Sequence, residues 1–424
     1  MRLPIYIHLL FALAAAFYVV QPWAPKIAGV PSQVILVWLC LGLLITTRFK
    51  VFKSIGLNFS ALQWVCIAIM LTAVLYRTLM DGDGYLRLQQ VLTGIVLSIV
   101  AATVAADYKR RKWLLYAMLL SASVSGFIAL LQFIGKAGWT WNRTLYFGFS
   151  QKVPSGLETY PVAYSYSVLG ILVVCGSIGL YQILNGKRNQ INFISPVVGL
   201  PAVILILMGL FVSGSRSGIL GVISGGLVVW AFFKFTRIRY IPLVYLLPVV
   251  FIIPLMYSLT DWAVFDFFKE KISKVESDAR VEGAWRLFMP VIFEYPLGIP
   301  AEIYEQRDSY AGDALNQVYR GNAGYDPHNI FLTVAIFYGF FGAFGLLSFY
   351  VVTIFQGYLG LKRYGKNAVR EDVILLVLAI GAIIALFVHS WFHNASILLG
   401  EMRGWIWFGF AQGLLGNVRR AAIQ

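Results

Sequence analysis

An all-α polytopic membrane protein with about twelve transmembrane helices is the fold class the sequence predicts, and three observations predict it. The 424-residue chain is 59% hydrophobic and only 12% charged, against roughly 25% charged in a soluble domain. Its mean hydropathy is +0.76. Apolar runs of about 20 residues, long enough to cross a bilayer, recur along the whole length. No soluble catalytic domain can be cut out of such a chain, so residues 1–424 are expected to form a single integral membrane domain.

Taken in order, the predicted spans are residues 4–22, 28–46, 56–76, 88–106, 113–135, 160–184, 192–213, 217–235, 240–260, 330–358, 371–392 and 396–416. The first follows Met1-Arg2-Leu3 and is similar to a signal peptide. Its apolar part is longer than the usual secretory segment and a second span follows at once, so it reads as a retained helix. Cys40, Cys66 and Cys175 fall inside apolar spans and read as small core residues, with no disulfide framework or metal motif among them.

The links between spans alternate in basicity. One set holds Arg48, Lys50 and Lys53, then Lys109–Lys112, Lys187-Arg188, Lys234/Arg237/Arg239, Lys362–Arg370 and Arg419-Arg420. By the positive-inside rule these links and Arg2 face the cytoplasm, and an even span count puts both termini there. The net charge of +15 is therefore topological, and nucleic acid is not an expected partner. On the opposite face lies one long loop, 261–329, with an amphipathic stretch at Val264–Val275 and a turn at Tyr295–Pro300. It reads as a small lid of short helices packed over the bundle. Glycines at 214/218, 221/225 and 339/342/345 read as close helix-packing positions.

Several residues on that outer face could carry chemistry. Arg216 interrupts two apolar runs inside Ser213-Gly214-Ser215-Arg216-Ser217-Gly218, where hydroxyls and bare backbone suit an approaching anion; a plain loop charge is the alternative. Arg280 and Arg286 sit six apart and offer the planar fork that matches phosphate oxygens, although Glu276 and Glu282 could pair with Arg280. His328 follows Pro327 at the entry of a helix, where the positive dipole end favours the neutral imidazole and so a base. Asn329 could orient that ring or meet a sugar hydroxyl. Two motifs compete for attention. Asp81-Gly82-Asp83 resembles the Asp-x-Asp metal motif of polyprenyl-phosphosugar transferases, and His389 and His393 share one helix face without the glutamate of a zincin. The first reads as an acidic turn and the second as packing.

Arg280 followed by Trp285, then Pro296-Leu297-Gly298, then Pro327-His328-Asn329-Ile330-Phe331-Leu332 and Tyr338-Gly339-Phe340-Phe341-Gly342 resembles the O-antigen ligase/polymerase superfamily. The long outer loop between spans nine and ten fits as well. Gly298-Ile299-Pro300 departs from the pattern, which often has a second glycine there. The resemblance implies a glycosyltransferase C-type architecture. It also implies transfer of a glycan from undecaprenyl diphosphate to a hydroxyl on the periplasmic face of the bacterial inner membrane, without a metal or other cofactor. In the ligase branch the acceptor is lipid A–core oligosaccharide. His328 would then be the general base and Arg280 and Arg216 the diphosphate ligands, with Arg286 and Arg143 in a second rank. A polymerase or a protein O-oligosaccharyltransferase of the same superfamily is the near alternative, and a polysaccharide flippase the distant one. A monomer in contact with membrane lipids is the default expectation.

Overall fold

The computed structural model describes residues 3–53, 59–81, 85–137, 154–158, 161–179, 182, 194–232, 289, 292–299, 329–393, 397–399 and 401–421. Long apolar segments become helices because a helix satisfies every backbone group within itself, which lipid demands. In chain order these are α1 (Ile5–Val19), α2 (Ser32–Val51), α3 (Ala61–Asp81), α4 (Tyr85–Ala106), α5 (Lys112–Phe133) and α6 (Pro161–Ile171), which continues through a π-helical turn at Leu172–Gly176. Then follow α7 (Pro196–Val212), α8 (Arg216–Ala231), α9 (Ile330–Tyr364), α10 (Arg370–Trp391) and α11 (Arg403–Ala421). A two-stranded antiparallel ribbon, β1 (Lys26–Ile27) with β2 (Val30–Pro31), links α1 to α2.

Among the described residues, α2, α3, α4, α5, α6 with its extension to Gly179, α9 and α10 are long and apolar enough to span a membrane. The apolar helices α1, α7 and α8 are shorter. The chain is a multi-pass membrane protein, with span edges shifted by a few residues from those expected. The last helix begins at Arg403 rather than near residue 396, because that stretch forms a turn at Ile397–Leu399 first. The ninth expected span and nearly all of the expected 261–329 lid lie outside the described residues.

The helix termini gather at two ends of the bundle. At one end Arg111, at the start of α5, pairs with Asp372 at the start of α10. There the α4–α5 link also meets the start of α1: Asp107 accepts from the Leu3 amide at 3.0 Å and lies 3.1 Å from His8. Arg48, Lys50, Lys109–Lys112, Lys362–Arg370 and Arg419-Arg420 gather at this same basic end. At the opposite end α6, α8, α9 and α11 begin, while α5, α7 and α10 finish.

Helix association in lipid relies on van der Waals fit rather than on water expulsion. The α8–α10 contact illustrates it: a methyl group on Gly225 would sit 2.7 Å from the Gly381 carbonyl, and one on Gly381 would sit 3.0 Å from that of Gly225. The two backbones touch, and this fixes the final turn of α10 beside the first turn of α8.

Candidate active site

The site starts from one turn. Gly214, at φ +59, bends the chain out of α7. Ser215 caps α8, its hydroxyl accepting from the Gly218 amide at 3.3 Å. Arg216 is the first residue of α8 and is exposed, whereas Ser213, Ser215 and Ser217 around it are buried. An arginine in the first turn adds a full charge to the partial positive charge of the helix terminus, an arrangement suited to an anion.

Beneath that turn runs a chain of buried polar groups. Ser215 donates to the Ser165 hydroxyl of α6 at 2.9 Å, and the Ser217 oxygen is 3.3 Å from that of Ser215. Ser165 lies 2.7 Å from His389 Nε2. His389 has no exposed surface. The Tyr166 ring meets it edge-on at 5.6 Å and the His393 ring lies 5.2 Å away. Two residues past His389, the Trp391 carbonyl accepts from Asn329 Nδ2 at 3.1 Å. Asn329 Oδ1 in turn accepts from the Phe331 and Leu332 amides at 3.0 and 3.2 Å, capping α9. The last turn of α10 therefore joins the Arg216 turn to the residue that follows His328.

A second layer is ionic. Arg403, at the start of α11, is buried and binds both Glu158 and Glu401, and its guanidinium also reaches the Ala163 carbonyl at 3.4 Å. Burial pushes the Glu158 carboxyl up to about 8, against the pull of the Arg403 cation and with the help of Glu401. Arg403 has two carboxylates to itself, so Glu158 can hold a proton without leaving the cation unpaired.

The third component is a broken helix. Gly339 adopts φ +70 and ψ 179 inside α9, separating a short first segment from the long remainder. Into this break fits the Pro296-Leu297-Gly298 turn. The Phe340 amide donates to the Pro296 carbonyl and the Ile299 amide to the Ile336 carbonyl, each at 2.8 Å, so groups freed by the break are satisfied. Only glycine fits at Gly298 and Gly339. Both have left-handed φ, and a methyl group on either would press within 2.8 Å of the other strand's backbone. Arg77 of α3 donates to the Ile299 carbonyl and holds the turn from its far side.

Of the residues expected to act, Arg216 and Asn329 converge on this end of the bundle. Asn329 is occupied by the cap and by Trp391 and is almost fully buried, at 3% exposure, so in the structure it positions the start of α9. His328, Arg280, Arg286, Arg143 and Asp83 lie outside the described residues, and Asp81 is the last residue of α3. Among the described residues no three His, Cys, Asp or Glu side chains converge as a metal site. Sequence reasoning missed Ser165, Glu158, Glu401 and Arg403. Charges beside an apolar run, such as Glu158 before Pro161 and Arg403 before Trp405, were the available signal.

Residues 201–347 match the family model described as O-Antigen ligase. The match over this segment supports the O-antigen ligase/polymerase superfamily. The segment contains most of α7, the Arg216 turn, the Pro-Leu-Gly turn and α9 through its break. Members of the superfamily are glycosyltransferase-like ligases and polymerases that handle lipid-linked glycans. No curated protein matches the chain. The buried groups Ser165, His389, Glu158 and Arg403 lie outside the matched segment, so the polar layer beneath the Arg216 turn is built from flanking helices.

Proposed function

We propose that this protein is an O-antigen ligase that transfers a glycan from undecaprenyl diphosphate to a hydroxyl of lipid A–core oligosaccharide. The reaction would take place on the periplasmic face of the bacterial inner membrane. The observation that carries this reading is the exposed Arg216 in the first turn of α8, inside the segment that matches the O-antigen ligase family. The clustering of basic residues at the other end of the bundle supports a cytoplasmic position for that end and for both termini.

In the reaction, the acceptor hydroxyl oxygen attacks the anomeric carbon while the bond from that carbon to the diphosphate oxygen breaks. His328 takes the hydroxyl proton, and undecaprenyl diphosphate departs as an anion with inversion at the sugar. Arg216, Arg280 and, in support, Arg286 neutralise the charge that develops on the leaving group. With fixed arginines supplying the positive charge, the transfer needs no divalent ion, and activity should persist in excess EDTA. Asn329, the next residue after His328, caps α9, and Arg143 is a further candidate for contact with the glycan. Apolar faces between helices would receive the polyprenyl chain of the donor and the acyl chains of the acceptor. A monomer suffices for this chemistry.

The test offers purified protein an undecaprenyl-diphosphate glycan together with either lipid A–core or a second donor molecule. Glycan on lipid A–core supports the ligase. Elongated polyprenyl-linked glycan would identify a polymerase, and glycan only on an exported protein's serine or threonine would identify an O-oligosaccharyltransferase. Movement of the donor across the membrane with no transfer would indicate a flippase.

A further inference from the structure

We infer that His389 is a positioning residue for glycan transfer: its Nε2–H, held on Ser165, fixes the turn from which Arg216 projects. This rests on the reading of Arg216 as a ligand of the donor diphosphate.

The hydrogen-bond directions carry the argument. The single proton of Ser165 points to the Val162 carbonyl, 2.8 Å away on its own helix. Ser165 Oγ is then free to accept, and it receives the Ser215 hydroxyl at 2.9 Å and His389 Nε2–H at 2.7 Å. Nδ1 is buried without a partner in either tautomer, whereas Nε2 must supply the proton because Ser165 spends its own on Val162. His389 is therefore the neutral Nε2–H tautomer, and a donor rather than a base.

The consequence passes along the chain. Because Ser215 spends its proton on Ser165, its lone pairs face the Gly218 amide and the Ser217 hydroxyl. Those two contacts define the first turn of α8 and so the direction in which Arg216 leaves it. The base of the network is rigid, since α8 and α10 touch backbone to backbone at Gly225 and Gly381, and a methyl group on Gly218 would lie 2.9 Å from Ser165 Cβ. Arg403, His393 and Tyr166 are the charged and titratable groups that face His389. A displacement of about 1 Å in a substrate-holding group can cost roughly a hundredfold in rate, so a lost donor two hydrogen bonds away from Arg216 has a measurable effect.

The experiment measures donor KM and kcat for purified wild type, His389→Ala, His389→Gln, Ser165→Ala and Arg216→Ala with an undecaprenyl-diphosphate glycan and lipid A–core. His389→Ala should raise donor KM roughly tenfold, and the pH profile of kcat should keep its shape. His389→Gln, whose amide N–H reaches the Nε2 position, should restore KM to within about threefold. Adding His389→Ala to Arg216→Ala should add almost nothing, because coupled residues are not additive. Wild-type donor KM in His389→Ala, alongside an impaired Arg216→Ala, would overturn the inference and leave the ligase reading standing. Loss of one limb of the pH profile in His389→Ala would also overturn it, by making His389 a proton-transfer group. Wild-type donor KM in Arg216→Ala would instead remove the diphosphate reading itself. Should His389→Ala fail to fold, Ser165→Ala and His389→Gln carry the test: raised KM in the first and near-normal KM in the second support positioning, and the opposite pattern refutes it.

Discussion

The two ends of the bundle both bury charge, and they use it differently. At the basic end the buried Arg111 closes on Asp372, with Glu371 at 3.7 Å, while the half-buried Arg110 donates to the Leu3 carbonyl at 2.6 Å. At the other end Arg403 is closed in the same way, yet Arg216 stands exposed above a chain of neutral hydroxyls that ends at His389. A paired buried charge holds helices in register. Arg216 is instead exposed, in the first turn of a helix. The contrast separates the residues that hold the bundle from those that would touch the donor.

The largest expected effect is at the basic end. Asp372→Ala leaves Arg111 buried without its closest carboxylate, which costs about 3–5 kcal/mol. A lowered unfolding temperature in detergent should report it, while transfer per folded molecule stays near wild type. Arg216→Ala should do the reverse, losing roughly a hundred- to a thousandfold in transfer rate with stability within about 0.5 kcal/mol of wild type. Equal losses of stability in both variants would erase the distinction between the ends.

Gly339→Ala comes next. It forces a side chain into a left-handed conformation and against the Pro296 carbonyl, so about 1–3 kcal/mol of stability should be lost, together with transfer, because the break helps set the start of α9. Wild-type stability in that variant would show that the helix does not need the break.

The smallest effects are in pH dependence, and they have opposite signs. Burial works against ionisation of Asp107, but hydrogen bonds from His8 and the Leu3 and Lys109 amides, with the His8 charge, hold its carboxyl below the ordinary value. Its contribution is complete above the unfolded value of about 3.9 and is lost as pH falls through the lower folded value. Glu158, pushed up to about 8, behaves the other way. The folded protein holds its proton more tightly than the unfolded chain does, so stability declines as pH rises from the unfolded value of about 4.3 to about 8. Unfolding temperature against pH should lose its acid limb in Asp107→Asn and flatten between those limits in Glu158→Gln.

Much of the fold was legible because a membrane leaves few options. Apolar length identified the helices, and the Arg48, Lys109–Lys112 and Lys362–Arg370 clusters marked one end. Arg216 stood out as a charge between apolar runs, and the structure places it, exposed, in the first turn of α8. The rest depended on contacts between distant segments. Glu158 and Arg403 are 245 positions apart, and nothing local in either announces the other. Gly339 read as a packing glycine like Gly342 and Gly345; its left-handed φ comes from the Pro-Leu-Gly turn that docks on it. His389 read as packing because its partner, Ser165, is 224 positions away. Asn329 drew notice by its place in a motif, whereas its cap and its bond to Trp391 required the fold.

Binding of undecaprenyl diphosphate to wild type, Arg216→Ala and Asp372→Ala, measured on folded protein in nanodiscs, tests the division between the two ends most directly. The account predicts that Arg216→Ala weakens binding at least roughly tenfold, the loss of one charge-assisted phosphate contact, and that Asp372→Ala binds as wild type does. Undiminished binding by Arg216→Ala, or an equal loss in Asp372→Ala, would contradict it.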